Sequence, residues 1–130
     1  MIKSIKKLFF VPLLLIPCLI MAQTSTEILG NPIRIGKLEV AQFDFPQKMN
    51  WSDARKACAK LGDGWSLPTI MELRLLYQNQ VKIGGFSNSY YWSSTETGVE
   101  NAWRHNFGFG MSGFIADKGN KYFVRAVRVF

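Results

Sequence analysis

Few residues in this 130-residue chain have chemistry to offer: two cysteines, one histidine and nine aspartates and glutamates. Cys58 falls on the apolar arc of a helical repeat, where a buried, inert thiol is the simpler reading beside that of a nucleophile. His105 stands between Arg104 and Asn106 with no cysteine or acidic cluster nearby. A metal centre needs several such ligands converging, so a surface or hydrogen-bonded strand residue describes it better. No two carboxylates have the spacing of a glycoside-hydrolysing pair. Glu96, Glu100 and Asp117 are scattered through turns without an oxygen-ligand pattern, and Glu72 is explained by helix capping. Catalysis, metal and cofactor are therefore not expected.

Binding is the chemistry left. Trp103, Arg104, His105, Phe109, Lys118 and Lys121 bring rings and cations together in the C-terminal third, around a glycine-rich loop over Gly108–Gly113. A ring exposed there can stack on a sugar, and the cations can receive sulfates or carboxylates. The plainer alternative is that Trp92, Trp103, Phe107, Phe109, Met111 and Phe114 are core and the charges an ordinary solvated face.

The elements that must hold these residues start with Asn50–Tyr77. Trp51, Ala54, Ala57, Cys58 and Leu61 fall on one arc at 100° per residue, with Ser52, Asp53, Arg55, Lys56 and Lys60 opposite. Asn50 is the expected N-cap, and Gly62 and Gly64 end the helix and turn the chain. Thr69-x-x-Glu72 is a capping box for a second helix, announced by Pro68. Ile70, Leu73, Leu76 and Tyr77 share one face while Met71 and Leu75 lie opposite, so this helix is expected to be sandwiched. Strands are expected at Ile33–Ile35, Leu38–Phe45, Tyr90–Thr95 and Ala102–Phe107. In the second of these, Gln42 and Asp44 should mark a wet face. Val81–Phe86 reads as loop, Asp117–Lys121 as turn, and Tyr122–Phe130 as a closing strand covered on both faces, with Arg125 and Arg128 on opposite sides.

Met1–Ala22 has the form of a secretory leader: Lys3, Lys6 and Lys7, the uncharged apolar run Leu8–Met21, then Ala22 before Gln23. The run is short for a membrane span, so none is expected after cleavage. A lipoprotein signal at Cys18 is the alternative, but Pro17 stands where a small residue is required. Cleavage would leave residues 23–31 as a flexible lead-in and 32–130 as one domain. It would remove three lysines and no acid, lowering the net charge from +7 to +4. That excess permits a polyanionic partner; it lacks the clustering of a nucleic-acid protein, and export argues against nucleic acid as well. Cys58 would be left alone, without an internal disulfide.

Strands, two helices and more strands make an α+β layout. The run W-S-D-A-R-K-A-C-A-K-L-G-D-G-W-S-L-P-T-I-M-E-L, followed in order by G-G-F, Y-W-S-S-T-E, A-W and V-R-A-V-R, resembles the Lcl C-terminal domain family of bacterial exported proteins. The resemblance covers about Ile35–Phe130. It implies a variant of the C-type-lectin-like fold, with paired N- and C-terminal strands and two helices flanking a twisted, mostly antiparallel sheet. It also implies two departures. Relatives match the helix cysteine with one in the last strand, where this chain has Ala126, and they often carry arginine before L-P-T, where it has Ser66. The lectin calcium signatures E-P-N, Q-P-D and W-N-D do not occur. The W-x-x-A-x-x-x-C and L-P-T-x-x-E pattern is also similar to formylglycine-generating enzymes, but those use a reactive cysteine pair. The resemblance points to a non-enzymatic recognition module, periplasmic, on the outer surface or extracellular, binding glycan or envelope protein. The alternatives are a structural envelope protein acting by assembly and, further off, a relative of those enzymes.

Overall fold

The computed structural model of the protein describes residues 24–130; the leader expected over Met1–Ala22, and with it the Cys18 alternative, lies outside them. The element order is α1 (Ser25–Leu29), β1 (Ile33–Ile35), β2 (Leu38–Val40), α2 (Trp51–Lys60), α3 (Ile70–Gln78), α4 (Gln80–Ile83), β3 (Tyr90–Glu96), β4 (Asn101–Asn106), β5 (Met111–Asp117) and β6 (Val127–Val129). Two three-stranded antiparallel sheets result, ordered β1-β2-β6 and β3-β4-β5. The opening hairpin thus meets the closing strand, with Leu38 opposite Val129 and Val40 opposite Val127.

The closing segment binds the two sheets into one body. Tyr122 bridges Met49, Phe123 bridges Tyr91 in parallel, and Val127 bridges Ser66. Its side chains alternate between two cores, as an extended chain requires. Val124 and Ala126 pack with Trp51, Ala54 and Cys58 of α2 and with Trp65, Leu67 and Trp92. Val127 packs with Leu73 and Leu76 of α3 and with Tyr91 and Phe107. The segment is covered on both faces, but its regular ladder is confined to Val127–Val129. Arg125 and Arg128 lie on opposite sides of it, paired with Asp44 and Glu39.

Both helix starts form as their residues dictate. The Asn50 side chain accepts from the Asp53 amide, and Thr69 and Glu72 complete the reciprocal capping box. Gly62 takes φ +77° just beyond α2, a left-handed conformation that favours glycine.

Several expectations are corrected. The second helix is not sandwiched: Leu73 and Leu76 are buried, but Met71 is 65% exposed and Leu75 lines an open groove. Residues 41–45 leave the ladder after Val40, and Asp44 is not on a wet face but joins Arg125. The stretch expected to be a flexible lead-in contains α1, capped by Thr24, with Ile28 buried and the carbonyls of Ile28 and Leu29 receiving the amides of Phe43 and Gln42. Residues 80–83 form the short helix α4, and the glycine-containing stretch after Gly110 forms β5.

A candidate binding surface on β4

The β3–β4 ladder sets the geometry. Tyr90 pairs with Asn106 and Trp92 with Arg104, which puts Arg104 opposite Trp92 and diagonal to Tyr90. Its guanidinium carbon lies 3.7 Å from the centroid of the Tyr90 ring and 5.0 Å from that of Tyr122. Nη1 donates to the Tyr122 hydroxyl, which also accepts from Asn120 Nδ2 at 3.1 Å. Nε is buried and has no hydrogen-bond partner. No carboxylate among the described residues pairs with Arg104. The result is a planar cation held on aromatic faces, with unused donor capacity.

The other residues singled out do not all join it. Trp103 is adjacent to Arg104 on the strand and therefore points to the opposite face, where it is half-buried opposite Ile115. His105 is 2% exposed, against Tyr77 at 5.1 Å and Phe107 at 5.3 Å, and neither ring nitrogen has a partner. Burial, then the nearby charge of Arg74, lowers its pKa, so the ring is held neutral. It is out of a ligand's reach. This corrects its place in the binding set. Phe109, 79% exposed, sits on the β4–β5 hairpin, where the Asn106 carboxamide oxygen accepts from the amides of Gly108 and Phe109. Gly110 ends that turn at φ +73°, and a Cβ there would run into the Tyr77 hydroxyl.

Lys118 is committed elsewhere. Its ammonium donates to Glu96 Oε2 at 2.6 Å and to the carbonyls of Gly98 and Val99, 4.2 Å from the centroid of the Trp51 ring. The hydrogen bond from Lys118 holds the Glu96 carboxyl below its usual pKa. Lys121 is exposed, one residue from Tyr122. The surface thus consists of Arg104, Tyr90, Tyr122 and Asn120; Lys121 adjoins Tyr122 in sequence. Tyr90, Tyr122 and Asn120 were not among the residues chosen from sequence. Strand alternation together with the β3–β4 register would have found Tyr90.

Cys58 is free and fully buried, and desolvation raises its pKa to about 12. It is a packing residue at neutral pH, not a thiolate. Ala126, where the resemblance implies a partner cysteine, is buried in the same core. Among the described residues no group of three or more His, Cys, Asp or Glu side chains is placed to hold a metal ion. Nor is any helix among them long and apolar enough to cross a membrane.

The Lcl C-terminal domain matches residues 24–128, nearly all of the described chain. The protein belongs to the Lcl C-terminal domain family. No curated protein sequence matches it. Among solved structures, this Lcl domain is similar to botrocetin (TM-score 0.57, 17% identity, 77% of this chain and 96% of that one). It is likewise similar to the snake venom toxin convulxin (TM-score 0.57, 13% identity, 77% and 96%). A third is EMS16, described as an antagonist of the collagen receptor integrin α2β1 (TM-score 0.59, 10% identity, 78% and 98%). At these identities the likeness concerns the fold, which is C-type-lectin-like: an α+β body with its first hairpin and last strand paired.

Proposed function

We propose that this Lcl domain is an exported, non-enzymatic recognition module that binds glycan or protein at the cell envelope through the Arg104 surface. The observation that carries the reading is the state of Arg104: stacked on Tyr90, bonded to Tyr122 and paired with no acid among the described residues. Arg104 is only partly buried, and the guanidinium donors beyond the one bonded to Tyr122 and the buried Nε are those a ligand's oxygen can meet. The planar fork suits sulfate or carboxylate, and the tyrosine rings suit a sugar face. EMS16 is titled a receptor antagonist, which supports protein recognition as a use of this fold. The inert Cys58 and the buried His105 support a non-catalytic role.

Binding of the protein to a glycan and polyanion array tests this, beside a variant carrying Arg104→Ala and Lys121→Ala. Signal lost from the variant is the expected result. Full signal retained by a folded variant would remove Arg104 from the account.

A second reading, structural self-assembly, has its own observation. A groove of about 520 Å³ runs between the β1–β2 turn and α3, lined by Ile35, Leu38, Leu75 and Val129. Val129 and Phe130 are 65% and 49% exposed. Exposed apolar area of this kind marks contact surfaces. Sedimentation across a concentration series decides: a monomer throughout removes this reading.

A further inference from the structure

A second cleft lies between α2 and the start of α3, and nothing above uses it. Its volume is about 350 Å³, within the range of small-ligand sites. Arg55 and Ala59 form the α2 wall, Thr69 and Glu72 the α3 wall, and Ser66, Leu67 and Ser94 also line it. A second, shallower hollow continues along α2 past Ser52 and Lys56.

The polar groups here are mostly donors, and mostly unused. Arg55 has no hydrogen bond or ion pair among the described residues; it lies by the Trp51 ring, 4.9 Å to the centroid, and its charge adds to that of Lys118 in lowering the Glu96 pKa. The hydroxyls of Ser66 and Ser94 have no side-chain partner either, although the Ser66 and Ser94 amides bond the carbonyls of Val127 and Pro68. Glu72 spends Oε1 on the Thr69 amide, leaving Oε2 as an acceptor. Most of the amides at the start of α3 are occupied. The amides of Thr69, Ile70 and Glu72 are already taken by Glu72, Thr95 and Thr69. The cation in the lining is Arg55, with Lys56 in the neighbouring hollow and the Glu72 carboxylate on the opposite wall.

One guanidinium, two free hydroxyls, one free carboxylate oxygen and an apolar patch from Ala59 and Leu67 define a complementary ligand. It carries one carboxylate for Arg55, hydroxyls that both donate to Glu72 and accept from the serines, and a C–H face for the patch. A volume of this size holds one ring, not a chain. We propose that the α2–α3 cleft is a binding site for a single sugar-acid unit, free or at the end of a glycan. It is independent of the Arg104 surface: Ser94 and Tyr90 are four residues apart on β3, about 13 Å.

The test is a titration of the ¹⁵N-labelled protein with sodium glucuronate, its methyl glycoside and, as the uncharged counterpart, glucose. The expected result is shifts at the Ser66, Leu67 and Ser94 amides and at the Arg55 side chain with glucuronate, and none with glucose. Arg55→Ala should weaken binding about tenfold. Ser66→Trp, at an exposed position, should fill the cleft and abolish it, whereas Arg104→Ala should leave it unchanged. Binding of the methyl glycoside as well as the free acid assigns the end of a chain; binding of the free acid alone assigns the free sugar. Equal shifts with glucose, no shifts with either acid, or unchanged affinity in a folded Arg55→Ala variant would overturn the proposal.

Discussion

Two arginines of this Lcl domain sit in nearly opposite environments. Arg125 is closed off: its side chain is 0% exposed, Nε donates to Asp44 at 2.6 Å, and Nη1 and Nη2 donate to the carbonyls of Ala41 and Gly84. Its guanidinium carbon lies 4.1 Å from the Phe86 centroid. Asp44 in turn accepts from the Tyr91 hydroxyl at 2.6 Å, and that hydroxyl accepts from the Ser87 amide. Burial outweighs the favourable pull of Arg125 and Tyr91 and leaves the Asp44 carboxyl above its ordinary pKa. Arg104 also lies on rings, but among the described residues it has one hydrogen-bond partner and no acid, and its buried Nε is idle. Arg125 spends its donors joining the segment after β2, the loop after α4 and the closing segment. Arg104 is held in place with donors to spare. Charge alone does not separate a structural cation from one that meets a ligand; the state of its donors does.

Removing Arg125 should therefore produce the largest effect. Arg125→Ala leaves Asp44 without its cation and should cost about 3–5 kcal/mol, read from the midpoint of denaturant unfolding. A loss under about 1 kcal/mol would erase the contrast between the two arginines. The next effect is set by pH. His105 has its folded pKa lowered, so the fold refuses a proton that the unfolded chain accepts. Its contribution is intact above about pH 6.5 and is lost as pH falls below that, at up to about 1.4 kcal/mol per pH unit. The groups facing it are Tyr77 and Phe107, with Arg74 nearby. His105→Phe should flatten that part of the stability–pH curve, and an unchanged curve would place the titration elsewhere. Thr69→Ala touches neither arginine and should cost about 1 kcal/mol through the capping box alone. Smallest of all on stability is Arg104→Ala, about 1 kcal/mol or less, because it removes stacking and one partly exposed hydrogen bond but strands no charge.

What the sequence shows, and what it hides, follows the range of the interactions. Both long helices and their caps were readable because a cap is decided within four residues, as at Asn50–Asp53 and Thr69–Glu72. β3 is readable from its aromatic run Tyr90–Trp92, and β4 overlaps the strand expected over Ala102–Phe107. β5 was missed because Gly110 and Gly113 look like breakers, whereas pairing with β4 holds the strand. The wet face assigned to Asp44 failed for a related reason: its partner Arg125 lies 81 residues further on. Periodicity counts Met71 and Leu75 as apolar without showing whether anything covers that side of the helix, and there they are exposed. At the candidate surface, Arg104 was found from its type. Its setting depends on Tyr122, which the fold brings alongside from 18 positions away.

The most direct measurement follows the arginine Nε–Hε resonances of the protein while dextran sulfate is added. The account predicts a shift at Arg104, none at Arg125, and loss of binding in Arg104→Ala with the unfolding midpoint nearly unchanged. Arg104 and Arg125 resonances that both stay fixed while the polymer binds would contradict it.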